Sequence, residues 1–239
     1  MVDRYERRFE ASATGARAGI DEGLRAYMLK VYNYMAMGVA LTGVIALFTA
    51  NSPALLNAIY GTPLQWVVML APLALVIFMS ARINKMSASA AQTTFWVFSG
   101  LMGLSLSYIF LAYAGATIAR VFFISAGAFG ALSLFGYTTR KDLSGWGSFL
   151  YMGLFGIILA MVVNLFMASS ALDFAISVIG VLVFAGLTAY DTQKIKEMYY
   201  VADSGEIANK KAIMGALNLY LDFINLFLFL LRLFGGGRD

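Results

Sequence analysis

Apolar residues gather into seven long runs along this chain, over residues 27–50, 64–81, 94–115, 117–137, 148–168, 172–192 and 212–234. A helix rising about 1.5 Å per residue needs about 20 residues to cross the roughly 30 Å hydrocarbon core of a bilayer. Each run is of that order. The pattern predicts an all-α polytopic membrane protein, a seven-transmembrane-helix bundle forming one domain over 27–234. Residues 1–26 interleave arginines (Arg4, Arg7, Arg8, Arg17, Arg25) with acids and predict a polar N-terminal tail, solvated or lying at the interface. No apolar core follows a short basic start, so the tail is not read as a cleaved signal. Residues 235–239 read as a short C-terminal tail.

Inside the runs, a few residues change the picture. Pro72 removes a backbone donor from the second segment, which predicts a kink and leaves the Val68 carbonyl without its usual partner. Segments three and four, and five and six, are separated by only a few residues and should form tight antiparallel hairpins. Small residues recur at close-packing spacing, as in Gly100, Gly103 and Ser107 or Gly127 and Ala131, and read as helix-packing positions. Residues 135–141 (FGYTTRK) and 188–194 (TAYDTQK) echo one another at the ends of segments four and six; chance is the simpler explanation.

Composition sharpens the class. The chain is 61% hydrophobic and 13% charged, about half the charge of a soluble domain, with a mean hydropathy of +0.78. Cysteine and histidine are both absent. That removes disulfides, thiolate nucleophiles, thiolate metal sites, the commonest metal ligand and the usual proton shuttle. A response to pH near neutrality then has to come from perturbed carboxylates. No tightly bound cofactor is expected. Fourteen of the 17 Lys and Arg residues fall in the N-terminal region, loops two–three, four–five and six–seven, leaving Arg120, Arg232 and Arg238 opposite. The positive-inside rule therefore puts the N-terminus in the cytoplasm. With seven full spans the C-terminus lies outside, although a re-entrant seventh segment would return Arg232 and Arg238 to the inner side. That flat basic pattern is explained by topology, so no nucleic acid partner is expected. Trp66, Trp96 and Trp146 near segment ends read as an interfacial belt.

Two acids stand out. Asp222 lies deep in the last segment, and Asn218 and Asn225 share its helix face with Lys211 and Gly215. An ionised Asp near the centre of a membrane helix costs roughly 2.5–3.5 kcal/mol on insertion scales, so this stripe should face protein or a water-filled path. Asn218 and Asn225 are the polar pore-facing candidates. Asp191 ends the sixth segment. Taken by position it could be an interfacial acid paired to Lys194 or Lys196; continuation of its helix toward Tyr200 would bring it to Asp222 instead. Asn164 reads as an interhelical hydrogen bonder, and Asp142 and Asp173 as solvated loop acids.

The stretches 186–196 (GLTAYDTQKIK) and 216–227 (ALNLYLDFINLF) closely resemble the transmembrane Bax-inhibitor-motif family, in its bacterial YccA/YetJ-like branch. The resemblance runs from about residue 24 to the end. It implies six helices around a central last helix, an integral protein of the bacterial inner membrane, and a di-aspartyl pH sensor at Asp191 and Asp222 that gates a passive Ca²⁺ leak. It also implies that Arg82, in Ser80-Ala-Arg-Ile-Asn84, latches the closed state. Some relatives carry an acid in helix two; here no acid lies between Glu22 and Asp142.

Two facing carboxylates cannot both ionise cheaply, so they share a proton and titrate as a pair. Loss of that proton should push segments six and seven apart. The freed carboxylate oxygens suit Ca²⁺, a hard cation, as a transient metal site of two ligands rather than a cage. The expected function is thus a pH-sensitive, Ca²⁺-permeable leak channel of the bilayer, with Ca²⁺ as the permeant ion and H⁺ as the gating one, no enzyme activity, and a monomeric state. One alternative, which the same resemblance implies, is a regulator of a membrane-anchored AAA protease, contacted through the N-terminal tail; another is a proton-coupled small-solute transporter. An intramembrane aspartyl protease is disfavoured because the Gly-x-Gly-Asp pattern is missing around Asp191.

Overall fold

The computed structural model describes residues 2–235, with side chains for residues 22–235. The helices are α1 (Val2–Ala50), α2 (Pro53–Tyr60), α3 (Leu64–Arg82), α4 (Ala88–Leu106), α5 (Ile109–Ala112), α6 (Gly115–Thr138), α7 (Ser144–Met167), α8 (Ser170–Glu197) and α9 (Gly205–Phe234), with one 3₁₀ turn at Ile83–Lys85. Seven stretches have the length and apolarity to cross a membrane: Glu22–Ala50, Leu64–Lys85, Ala88–Ala112, Gly115–Thr138, Ser144–Met167, Ser170–Glu197 and Gly205–Phe234. They coincide with the seven expected segments, and no strand occurs among the described residues. Most side chains of the predicted N-terminal tail, and residues 236–239 of the C-terminal one, lie outside the described residues; the backbone of the tail continues α1.

Helix starts follow from local chemistry. Ser52, Ser87, Ser169 and Ser204 each stand just before a helix in extended backbone and accept a hydrogen bond from the N–H three residues on. Pro53 follows Ser52 at the first helical position, where its missing N–H costs nothing. The α7–α8 turn is held differently. Ala168 adopts a left-handed conformation (φ 48°), its N–H bonds the Asn164 carbonyl at 2.8 Å, and the Asn164 side chain accepts from Ser169 N at 3.0 Å. Asn164 therefore caps a turn and does not bridge helices as expected; a side chain one turn from its helix end reaches the next chain reversal before it reaches a neighbour.

The last helix is the centre of the bundle. Of its membrane-length window, 72% is buried, against 11–39% for the other six. It packs on α1, α4, α6 and α8, whereas α3 rests mainly on α4 and α7 on α8. The ring around α9 is thus four helices with two more outside it, a refinement of the expected six. The inner positions are α9's own Leu217, Leu219, Tyr220 and Leu226 together with Phe95 and Phe98 of α4, all essentially inaccessible. Tyr220 packs edge-on against both phenylalanine rings.

Close approaches occur where small residues permit them. A Cβ on Gly103 would come within 2.8 Å of the Thr42 carbonyl and of Ile45, so α4 lies directly against α1 there. A Cβ on Gly136 would strike the carbonyl of Ala189, which makes α6 and α8 touch backbone to backbone. Gly127 behaves otherwise: nothing lies within 4 Å of its Cβ position, so it faces open space and is not the packing position expected. Arg232 pairs with Asp173 at 3.7 Å. The pair ties the end of α9 to the start of α8, and α9 runs unbroken through 30 residues, which favours a full seventh span over a re-entrant one.

Candidate functional site

Helix α8 continues six residues beyond Asp191, to Glu197, so this acid sits inside the helix rather than at its end. Asp222 lies 12 residues before Phe234, about 18 Å from that end of α9. The two helices run antiparallel with Gly215 against Ile195, where a Cβ would meet the isoleucine at 3.0 Å, and Gly180 against Phe229, at 2.6 Å. These contacts bring Asp191 and Asp222 face to face.

Both acids are buried, at 5% and 4% exposure. Asp191 Oδ1 and Asp222 Oδ2 are sealed from solvent and receive no N–H or O–H from surrounding residues. The two carboxyls instead interact directly with each other. A hydrogen bond between two carboxyl groups requires that one of them hold a proton and donate it. The arrangement can therefore store one proton between α8 and α9, and losing it leaves two anions in a site with no other donor.

Neither lysine neutralises Asp191 as the interfacial reading would have it. Lys194 Nζ sits over the Tyr190 ring at 5.8 Å from its centroid, and Lys196 Nζ donates to the Tyr137 carbonyl at 2.8 Å while lying over that ring at 5.4 Å. Lys194 is the cation whose field reaches Asp191. Arg82 is exposed at the end of α3, and no hydrogen bond or ion pair joins it to either acid. The remaining members of the stripe divide. Lys211 pairs with Asp203 at 2.6 Å and donates to the Met198 carbonyl at 3.0 Å. Asn218 is half-buried. Asn225 donates to the Leu221 carbonyl and lines a cavity of about 260 Å³ with Tyr108, Tyr113 and Arg232, one turn beyond Asp222.

Several polar residues that hydropathy did not single out surround the pair. Thr192 donates to the Thr188 carbonyl at 2.7 Å, so it accepts from Ser133, and Ser133 in turn accepts from Tyr32. That one-directional chain joins α1, α6 and α8 beside Asp191. On the far side of α9, Tyr220 donates to Thr42, whose single proton is aimed at the carbonyls of Ser99 and Gly38. Gln193 is buried and clamps the α6–α7 loop: its Nε2 donates to the Lys141 carbonyl at 2.9 Å and its Oε1 accepts from Leu143 N at 2.8 Å. The signal for Gln193 was a long polar side chain inside a helical run beside Asp191. In that loop, hydrogen bonds from Ser144 hold the Asp142 carboxyl below the usual carboxylate range. The echoed tyrosines lie side by side at the Gly136–Ala189 contact, Tyr137 at the end of α6 and Tyr190 seven residues before the end of α8, each under a lysine of α8.

No group of three or more His, Cys, Asp or Glu side chains is arranged to hold a metal among the described residues. Asp191 and Asp222 offer at most four oxygens, short of the six to eight that Ca²⁺ takes. A cation there would keep much of its water and leave readily.

These features define a polytopic helical membrane protein with a buried carboxyl pair between its central helix and the neighbouring α8. Residues 24–239 match the family described as inhibitor of apoptosis-promoting Bax1, and the chain belongs to that Bax inhibitor-1 family. It is 50% identical over 228 residues to the uncharacterized protein RP147 of Rickettsia prowazekii, covering 95% of this chain and 97% of that one. It is also 50% identical over 219 residues to the inner membrane protein YbhL of Escherichia coli, covering 90% and 94%. An uncharacterized protein of Caulobacter vibrioides is 44% identical over 255 residues, spanning both chains in full.

Proposed function

We propose that this protein is a pH-sensitive, Ca²⁺-permeable leak pathway of the bacterial inner membrane, gated by the Asp191–Asp222 pair. The inner-membrane location follows the similarity to YbhL. The observation that carries the gate is the burial of two carboxyls against each other, with Asp191 Oδ1 and Asp222 Oδ2 lacking any other donor. With one proton the pair holds α8 to α9. Without it, two charges face each other in a medium that screens them poorly, and the helices separate. Separation exposes carboxylate oxygens next to the Asn225 cavity, giving a hydrated cation a brief polar foothold along an otherwise apolar path.

The test is Ca²⁺ flux into proteoliposomes from about pH 5 to 8, which brackets a perturbed carboxylate pair. The wild-type rate should rise with pH, while Asp191→Asn and Asp222→Asn each flatten the curve. A wild-type rate that falls with pH would keep the pair as sensor but refute opening by repulsion. Absence of flux in every variant at every pH would refute the leak.

A further inference from the structure

Helices α6 and α7 both lie on α8 but pack little on each other, and the gap between them is a groove of about 630 Å³. Its floor is a strip of α8: Ile179, Leu182, Val183, Gly186 and Ala189. From Ala189 to Ile179 is ten residues of helix, about 15 Å, the hydrocarbon depth of one leaflet. Phe135 and Leu132 of α6 form one wall, Phe149 and Leu150 of α7 the other. The ring of Phe149 and the side chain of Leu182 are 63% and 67% exposed, so the groove opens sideways to lipid.

One end of this groove is chemically different. Lys141 and Trp146 line it, and Tyr190 at the same end carries Lys194 over its ring. Both lysines are exposed, and neither forms an ion pair with another described residue. The Gln193 clamp fixes the loop that presents Lys141, one residue before Lys194 in the α8 sequence. Three acids lie nearby. Glu197 is exposed one turn past Lys194 on α8, and no ion pair joins the two. Asp142 is engaged by Ser144 N at 2.8 Å at the start of α7, and Asp191 is buried within the bundle. The mouth therefore presents two lysines at headgroup level, with an aromatic residue beside them and one leaflet's depth of apolar groove behind.

We propose that this groove binds an anionic phospholipid, its phosphate between Lys141 and Lys194 and one acyl chain lying along α8. Basic pockets between membrane helices hold such headgroups, and each lysine contributes on the order of a few-fold in affinity. A free phosphate would use the lysines but leave the groove unfilled, and a neutral lipid would use the groove but not the lysines. The site stands independently of the leak, because its test reads lipid contact and not flux.

Trp146 is a built-in reporter. In a Trp66→Phe/Trp96→Phe protein it is the sole tryptophan of the three. Reconstitution into phosphatidylcholine vesicles containing a minor fraction of brominated-chain phosphatidylglycerol, or of brominated-chain phosphatidylcholine, measures which lipid sits against it. The anionic lipid should quench Trp146 several-fold more strongly at equal mole fraction. Lys141→Gln/Lys194→Gln should bring the two lipids level, and Lys141→Arg/Lys194→Arg should keep the preference. A protein retaining only Trp66, exposed on α3, should show no preference. Equal quenching of Trp146 by both lipids, an unchanged preference in the Gln variant, or the same preference at Trp66 would overturn the site.

Discussion

The hydroxyl of Ser105 on α4 donates to the carbonyl of Val68 on α3, at 2.5 Å. Val68 is the residue whose helical partner Pro72 removes, so the neighbouring helix supplies the missing donor. In lipid no water is available to do so, and a carbonyl left without a donor there is destabilising. The proline and its remedy thus form one device, and it fastens peripheral α3 to α4.

That device predicts a specific coupling. Ser105→Ala should lower stability by about 1 kcal/mol, within the range for hydrogen bonds between membrane helices. In a Pro72→Ala background, where residue 72 regains its N–H, the same substitution should cost close to nothing. A double-mutant cycle followed by denaturant unfolding in mixed micelles measures the difference. Equal costs in both backgrounds would mean that Ser105 acts through packing alone.

Two glycines of α6 should respond oppositely to the same change. Gly136→Ala places a methyl group against the backbone of Ala189 and should cost about 1–3 kcal/mol, the usual range for overpacking. Gly127→Ala points into open space and should be neutral, or stabilising by up to about 1 kcal/mol through helix propensity. Thermal unfolding in detergent reads both, and a Gly127→Ala protein less stable than Gly136→Ala would contradict the α6–α8 contact.

Gln193 should prove more important than its neighbours on the exposed side of α8. Gln193→Leu leaves the Lys141 carbonyl and Leu143 N–H without their partners, a loss of about 1–3 kcal/mol. Amide exchange at Leu143 should accelerate in that variant, while exchange in the α9 core around Tyr220 stays slow. Unchanged exchange at Leu143 would show that the loop is held by other contacts.

The number, length and order of the spanning helices could be read directly from the chain. A helix satisfies its own backbone, so within lipid a long apolar run is sufficient to specify one. The carbonyl left open by Pro72 and the exceptional status of Asp191 and Asp222 were legible for the same reason: each is a local departure from a strong background. That the last helix is central came through the family resemblance and not from hydropathy, and that α3 and α7 lie outside the inner ring could not be read, because lipid and protein interior are equally apolar. The pairing of Asp191 with Asp222 was implied by the resemblance, whereas tertiary structure alone decided that Asn164 closes a turn, that Gly103 packs while Gly127 does not, and that Gln193 reaches across to a loop. Each depends on where a side chain from another helix arrives. That is set by steric approach at a few small residues distant in sequence, such as Gly136 against Ala189, and no local pattern encodes it.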